Sequence, residues 1–289
     1  MIWLIGNKGM LGNELAGALA ASGLEFVGSD RDVDILDPAA LAAFSLGKKI
    51  EWIVNCAAYT AVEKAEDEAE LCAKLNVKGP ENIARTARDV GAKLLHISTD
   101  YVFDGSGSRP YREDDPVAPI GVYGRTKAEG EDQVRAACPE HVILRTAWLY
   151  GKHGPNFVHT MLKLMKSKER IGVVADQRGT PTCAADLAAA ILAIIRAAGP
   201  IYGTFHFTDL GETSWYDFAL AIHRLGRESG ILDRDCAIDP LTTAQYPTKV
   251  RRPAYSVLSK EKILACYSLS IPPWEDSLAG FLKDVAASA

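Results

Sequence analysis

The chain has 289 residues, 48% of them hydrophobic and 24% charged, the composition of an ordinary globular protein large enough to bury a core as one domain or two. A net charge of −5, with basic residues scattered among acids, excludes a general nucleic-acid binder, whose affinity rests on clustered Lys and Arg. No apolar run approaches the roughly 18 residues of a membrane span, and the opening Met1-Ile-Trp-Leu-Ile-Gly6 has neither a basic region nor a cleavage site, so a cytoplasmic protein is expected.

Along the first half, short β-rich runs alternate with helical stretches. Strands are expected at 2–5, 25–28, 52–55, 93–98 and 142–146, and helices at 10–22, 38–44, 67–90 and from about 121. Strands separated by helices of this length make βαβ units, and their continuous apolar runs suit a parallel sheet covered on both faces. The fold expected is therefore α/β, a Rossmann-type doubly wound parallel sheet.

After Trp148 the pattern loosens. A Gly- and Pro-containing loop leads to a helix near 157–166, a strand near 171–175, an Ala-rich helix at 184–198 and a strand at 204–208. A helix at 215–228, a Pro-interrupted region from Pro240 to Pro253 and a final helix from about Trp274 complete the chain. These segments are expected to build a smaller, mixed α/β substrate-binding lobe, with residues 1–150 as the dinucleotide-binding domain, residues 151–289 as the lobe, and the chain crossing between them more than once.

The motifs fall where such a sheet collects ligands. Gly6-Asn-Lys-Gly9-Met10-Leu11-Gly12 follows an apolar strand and opens a helix, so the glycines allow a tight turn and close approach of a pyrophosphate to the helix N-terminus. Asp30 at the end of the second strand would accept from ribose hydroxyls, whereas Arg31 beside it would suit a 2′-phosphate, which leaves NADH and NADPH both open. Asp34 and Ile35 are placed beside the adenine. Ala57, Ala58, Tyr59 and Thr60 follow the third strand with small residues that let a cofactor lie on the backbone. Thr99 ends the fourth strand, and Tyr123 and Lys127 stand one helical turn apart in Val-Tyr-Gly-Arg-Thr-Lys. That spacing puts a cation near the phenol and is expected to favour its ionisation.

The six cysteines, Cys56, Cys72, Cys138, Cys183, Cys236 and Cys266, form no C-x-x-C pair and read as free thiols. Cys183 has no neighbouring His or Lys in sequence to activate it, and no nucleophilic role is assigned.

Together the N-terminal G-x-x-G-x-x-G, the strand-end Thr99 and Tyr123-x-x-x-Lys127 resemble the extended short-chain dehydrogenase/reductase family, with Asn76 similar to that family's helix asparagine. Narrower stretches resemble its dTDP-4-dehydrorhamnose reductase branch: 98–105, 122–130, 144–150, 176–182 and Arg251-Arg252-Pro253. The resemblance spans most of the chain. It implies hydride transfer from NADPH or NADH to the C4 ketone of a dTDP-sugar, a substrate supplied by a 3,5-epimerase. Tyr123 would deliver the proton, Lys127 would lower the phenol pKa and hold the nicotinamide ribose, and Thr99 would polarise the carbonyl. Asp100, Trp148 and Val62 match positions that contact the sugar nucleotide, and Arg251 and Arg252 are candidates for the diphosphate. Asn76 would link Lys127 to solvent or cap a kink in its helix. Some relatives are described as magnesium-bridged dimers; Glu14 matches one glutamate, but Ala185-Asp186 stands near where another is expected. No metal is assigned, and the resemblance leaves monomer and homodimer open. An epimerase, a dehydratase and a non-catalytic regulatory subunit share the scaffold; Asp100-Tyr101 after Thr99, where dehydratases carry Asp-Glu, disfavours the dehydratase.

Overall fold

In a computed structural model, which describes residues 1–287, six parallel strands run in the order Gly203–His206, His141–Thr146, Lys93–Thr99, Trp52–Asn55, Ile2–Ile5, Phe26–Ser29. Every residue of the Ile2–Ile5 and Trp52–Asn55 strands is buried. Alternation along each strand sends Leu4, Val54, Leu95 and Leu144 to one face, against Leu15 and Leu19 of the helix Met10–Ala21 and Leu187 and Ile191 of the helix Ala184–Arg196. Trp3, Ile53, Leu94 and Ile143 point to the other face, against Ile83, Ala84 and Val134. Each such side chain stabilises the fold by roughly 1.5–3 kcal/mol when fully buried, so the doubly covered sheet is the dominant core.

The chain starts mid-sheet. It builds outward to Phe26–Ser29 and then restarts on the other side of Ile2–Ile5 with Trp52–Asn55. Connections therefore leave Ile5 and Asn55 in opposite directions, opening a crevice at their carboxyl ends, where ligands of open α/β sheets collect.

The second half does not stay on one side. The helix Ala184–Arg196 packs on Met10–Ala21, and the strand Gly203–His206 closes the edge of the main sheet. A separate core of Tyr150, Val158, Met161, Leu162, Phe218, Ile222, Trp274 and Phe281 unites the helices Phe157–Ser167, Trp215–Glu228 and Trp274–Ala287. Around it lie the parallel pair Arg170–Val174 and Ala237–Leu241 and four two-residue strand segments, Leu149–Tyr150, Arg178–Gly179, Thr182–Cys183 and Thr213–Ser214. Runs this short carry no readable period, and Pro240 disguises the strand Ala237–Leu241 in the sequence.

The expected helix at 67–90 is interrupted. It divides into Ala69–Ala73, a π-helical turn Lys74–Lys78, and Gly79–Asp89. Pro80 has no N–H to donate to the Asn76 carbonyl four residues back, so the ladder slips there. The freed Asn76 side chain clamps Tyr59: its Oδ1 accepts the Tyr59 N–H at 2.8 Å, and its Nδ2 donates to the Tyr59 carbonyl at 3.1 Å. Asn76 thus secures the loop after the third strand against the helix carrying Tyr123 and Lys127, also reaching Thr126 Oγ1 at 3.3 Å.

Candidate active site

At the first turn Gly6 adopts φ 78°, a conformation that favours glycine. Its N–H donates to the Ser29 carbonyl at 2.7 Å, tying the turn to the second strand. Gly12 packs beneath: a Cβ there would overlap the Gly6 carbonyl oxygen and come within 2.8 Å of Asn7 Cα. The helix that follows has no side-chain cap at Gly9 and no acid in its first turn, so its leading N–H groups and dipole face outward unneutralised.

A cavity of about 950 Å³ starts at this turn and runs along the carboxyl ends of the strands. Gly6, Gly9, Met10, Leu11, Asp30, Arg31, Asp34, Ile35, Ala57, Ala58, Thr60 and Val62 line it, with Thr99, Asp100, Tyr123, Lys127 and Trp148 further along. Several of the residues singled out from sequence lie off it. Gly12 lies beneath the turn, and Tyr59 turns its hydroxyl away to donate to Glu68 at 2.7 Å. Arg251 and Arg252 are not on the lining either; Arg251 is exposed and Arg252 pairs with Glu63 at 2.8 Å. Sequence reasoning passed over Lys8, Tyr101, Thr146 and Pro155, which also line the cavity and which carry no signal apart from adjacency to a motif.

At the inner end the Tyr123 hydroxyl stands beside Thr99, and its ring meets Tyr101 edge-on at 5.5 Å. Thr99 Oγ1 donates to Asp100 Oδ1 at 2.9 Å. Burial pushes the Asp100 carboxyl up to about 6, with the nearby Ser256 and Thr99 hydroxyls opposing. Burial also raises the Tyr123 phenol well above its usual value, with the Thr99 hydroxyl opposing.

This geometry corrects the expectation that Lys127 acidifies Tyr123. Both side chains lie on one helix face, but Lys127 Nζ turns to the fourth strand, where it donates to the Ile97 carbonyl at 2.6 Å. Burial brings Lys127 itself down to about 8, with Glu131, Cys72 and Cys56 opposing. Around these residues, desolvation outweighs the ammonium's field.

Trp148 closes the far wall. Its backbone sits at φ 47°, the one positive φ outside glycine among the described residues. The indole stacks on Trp215, ring centroids 3.5 Å apart, with Gly179 directly behind it. Sequence reasoning gave Trp215 and Gly179 no role, because they lie in separate segments that only folding brings against Trp148.

Cys183 is buried, and burial raises its thiol to about 12. Among the described residues no group of three or more His, Cys, Asp or Glu could hold a metal ion, and no helix is long and apolar enough to cross a membrane.

Such a parallel sheet, turning on Gly6 and presenting a half-buried tyrosine beside a strand-end threonine, is that of a short-chain dehydrogenase/reductase oxidoreductase. The family model described as RmlD substrate binding domain matches residues 1–287. The dTDP-4-dehydrorhamnose reductase of Escherichia coli is 38% identical over 291 residues, covering 98% of this chain and 97% of that protein. The solved structure of a dTDP-4-dehydrorhamnose reductase from Clostridium acetobutylicum is 42% identical, with a TM-score of 0.92 over 98% of this chain and 99% of that one. That of the Bacillus anthracis enzyme, in complex with NADP, is 36% identical with a TM-score of 0.92 over 98% of each. The chain belongs to the dTDP-4-dehydrorhamnose reductase family.

Proposed function

We propose that the protein reduces the C4 ketone of dTDP-4-dehydro-L-rhamnose to dTDP-L-rhamnose, using NADPH or NADH. The observation that carries this reading is one continuous cavity with an anion-receptive helix end at Gly9 and the Tyr123 and Thr99 hydroxyls side by side at its inner end. The cofactor fits the residues present: the Gly6–Gly12 turn leaves backbone room for a pyrophosphate, and Asp30 and Arg31 stand at the ribose end. Bound there, a reduced nicotinamide dinucleotide would supply the hydride. Arg31 and the NADP carried by the B. anthracis relative favour NADPH.

Tyr123 gives its phenolic proton to the ketone oxygen as that oxygen gains negative charge, so the carbonyl becomes an alcohol and Tyr123 a phenolate. Thr99 holds the same oxygen, a contact that strengthens as charge develops. Lys127 returns a proton to the phenolate and holds the ribose hydroxyls. Asp100 and Val62 contact the sugar, and Trp148 flanks it. The substrate comes from a 3,5-epimerase, and residues 1–150 act as the cofactor domain, completed by the helix Ala184–Arg196 and the strand Gly203–His206, with the rest of 151–289 supplying the substrate lobe.

The test is loss of NADPH absorbance with dTDP-4-keto-6-deoxyglucose and a 3,5-epimerase. Tyr123→Phe should lower kcat by about 10²–10⁴-fold while leaving NADPH affinity within a factor of two. Equal rates for the two proteins would sink the mechanism, and conversion of the sugar by this protein alone, with the added epimerase left out and no loss of NADPH absorbance, would point to an epimerase.

A further inference from the structure

Behind the cavity, two buried residues that do not line it form a hydrogen-bond chain ending on Lys127. Asn55, last residue of its strand, accepts the Ala57 N–H on Oδ1 at 3.0 Å. A backbone amide nitrogen can only donate, so the side-chain oxygen must face it and the side-chain NH₂ must face the opposite way. There lies His96 Nδ1, 3.0 Å from Asn55 Nδ2. Nδ1 therefore accepts, and a neutral imidazole that accepts on Nδ1 carries its proton on Nε2. A second ring proton is disfavoured, because burial holds His96 well below its usual pKa whatever the charge on Lys127.

His96 Nε2 lies 3.3 Å from Lys127 Nζ. An ammonium at that position sets N–H against N–H, whereas a neutral amine offers its lone pair. The Ile97 carbonyl at 2.6 Å accepts from either form and does not discriminate. We propose that Asn55 and His96 form a tautomer lock that presents an N–H to Lys127 and favours its neutral amine. Lys127 then becomes an exchangeable proton carrier and not a fixed cation, with His96 and Asn55 as its positioning residues.

The other groups around Lys127 divide clearly. Glu131 on its own helix, Cys72 on the helix Ala69–Ala73 and Cys56 after the third strand favour the cation, and burial opposes them. Glu131 is itself held by Arg145 and Arg135 at 2.7 Å each, which blunts its pull. Arg135 and His141 add positive field at His96 and keep its ring neutral. Tyr123 stands one turn before Lys127.

The location of the histidine proton can be read without substrate; its kinetic consequence rests on the proposed reduction. In ¹⁵N spectra of the purified protein, His96 should carry its proton on Nε2. Asn55→Asp keeps an acceptor for Ala57 and turns an acceptor toward the ring, so it should move the proton to Nδ1. His96→Asn places an amide oxygen where Nδ1 was, keeps Asn55 satisfied, and removes the donor facing Lys127. The alkaline limb of kcat/KM for ketone reduction should then move up by about one pH unit. A ring proton on Nδ1 in the parent protein overturns the lock, and an unmoved limb in a folded His96→Asn overturns the tuning of Lys127. If His96→Asn does not fold, the same limb in Asn55→Asp decides. A parent protein with no reductase activity would refute the proposed function and leave the spectral test standing.

Discussion

The indole of Trp148 lies flat on that of Trp215, ring centroids 3.5 Å apart and planes within 11°, while the Trp148 backbone holds φ 47°. A left-handed conformation costs a residue with a side chain roughly 1–2 kcal/mol, so the stack and the wall behind it must hold the indole in place. Gly179 forms that wall: a Cβ there would stand 2.5 Å from the Trp148 ring. Gly179→Ala should displace the indole and raise KM for the sugar nucleotide about tenfold, a loss of roughly 1.4 kcal/mol. NADPH affinity, measured by fluorescence titration, should stay unchanged, and a parallel loss of cofactor affinity would refute this role.

Gly12→Ala tests the turn at the other end of the cavity. The added methyl overlaps the Gly6 carbonyl, and backbone cannot swing aside as a flexible side chain can. Overpacking of this kind costs about 1–3 kcal/mol, so the melting temperature should fall and NADPH affinity should drop at least tenfold. A variant with unaltered cofactor affinity would show that the turn plays no part in dinucleotide binding.

Arg145 and Glu131 form a buried pair, with Arg145 Nε and Nη2 donating to the two carboxylate oxygens at 2.8 and 2.7 Å. Burial alone would raise the Glu131 carboxyl, but Arg145, together with Ser98 and Arg135, outweighs it and holds the carboxyl below its usual value. Its contribution to stability is therefore full above the unfolded value of 4.5 and is lost as pH falls through the lower folded value. Glu131→Gln leaves Arg145 buried without a counter-charge and should cost about 3–5 kcal/mol at pH 7. Urea unfolding should show that gap narrowing below pH 4.5; a difference independent of pH would contradict it.

Asp209 behaves in the opposite sense. Its Oδ2 accepts the Cys183 N–H at 2.9 Å, its Oδ1 has no partner, and burial raises the carboxyl to about 8. A carboxyl raised in the fold favours folding below its unfolded value, and that advantage fades as pH rises through the folded value. Asp209→Asn keeps the acceptor for Cys183 and cannot ionise. Its melting temperature relative to the parent should therefore climb between pH 5 and pH 9, by about 5 °C or more. A flat difference across that range would show that Asp209 is ionised throughout.

Much of this molecule is legible in its sequence because the determining interactions are local. Apolar runs at 2–5 and 52–55 can satisfy burial on both faces only inside a sheet, and glycines at 6, 9 and 12 permit one kind of turn. The spacing of Tyr123 and Lys127 places them on one helix face wherever that helix packs. Other features depend on distant segments meeting. Pro80 breaks a helix that otherwise reads as continuous, and the strand Gly203–His206 returns from the second half to complete the main sheet. Gly179 and Trp215 acquire a role only once they surround Trp148. Spacing could not say where the Lys127 ammonium would reach, because Ile97 and His96 come from another element. A side chain's chemical identity is written in the chain, whereas its protonation depends on desolvation and on neighbours far apart in sequence, and those exist only after folding.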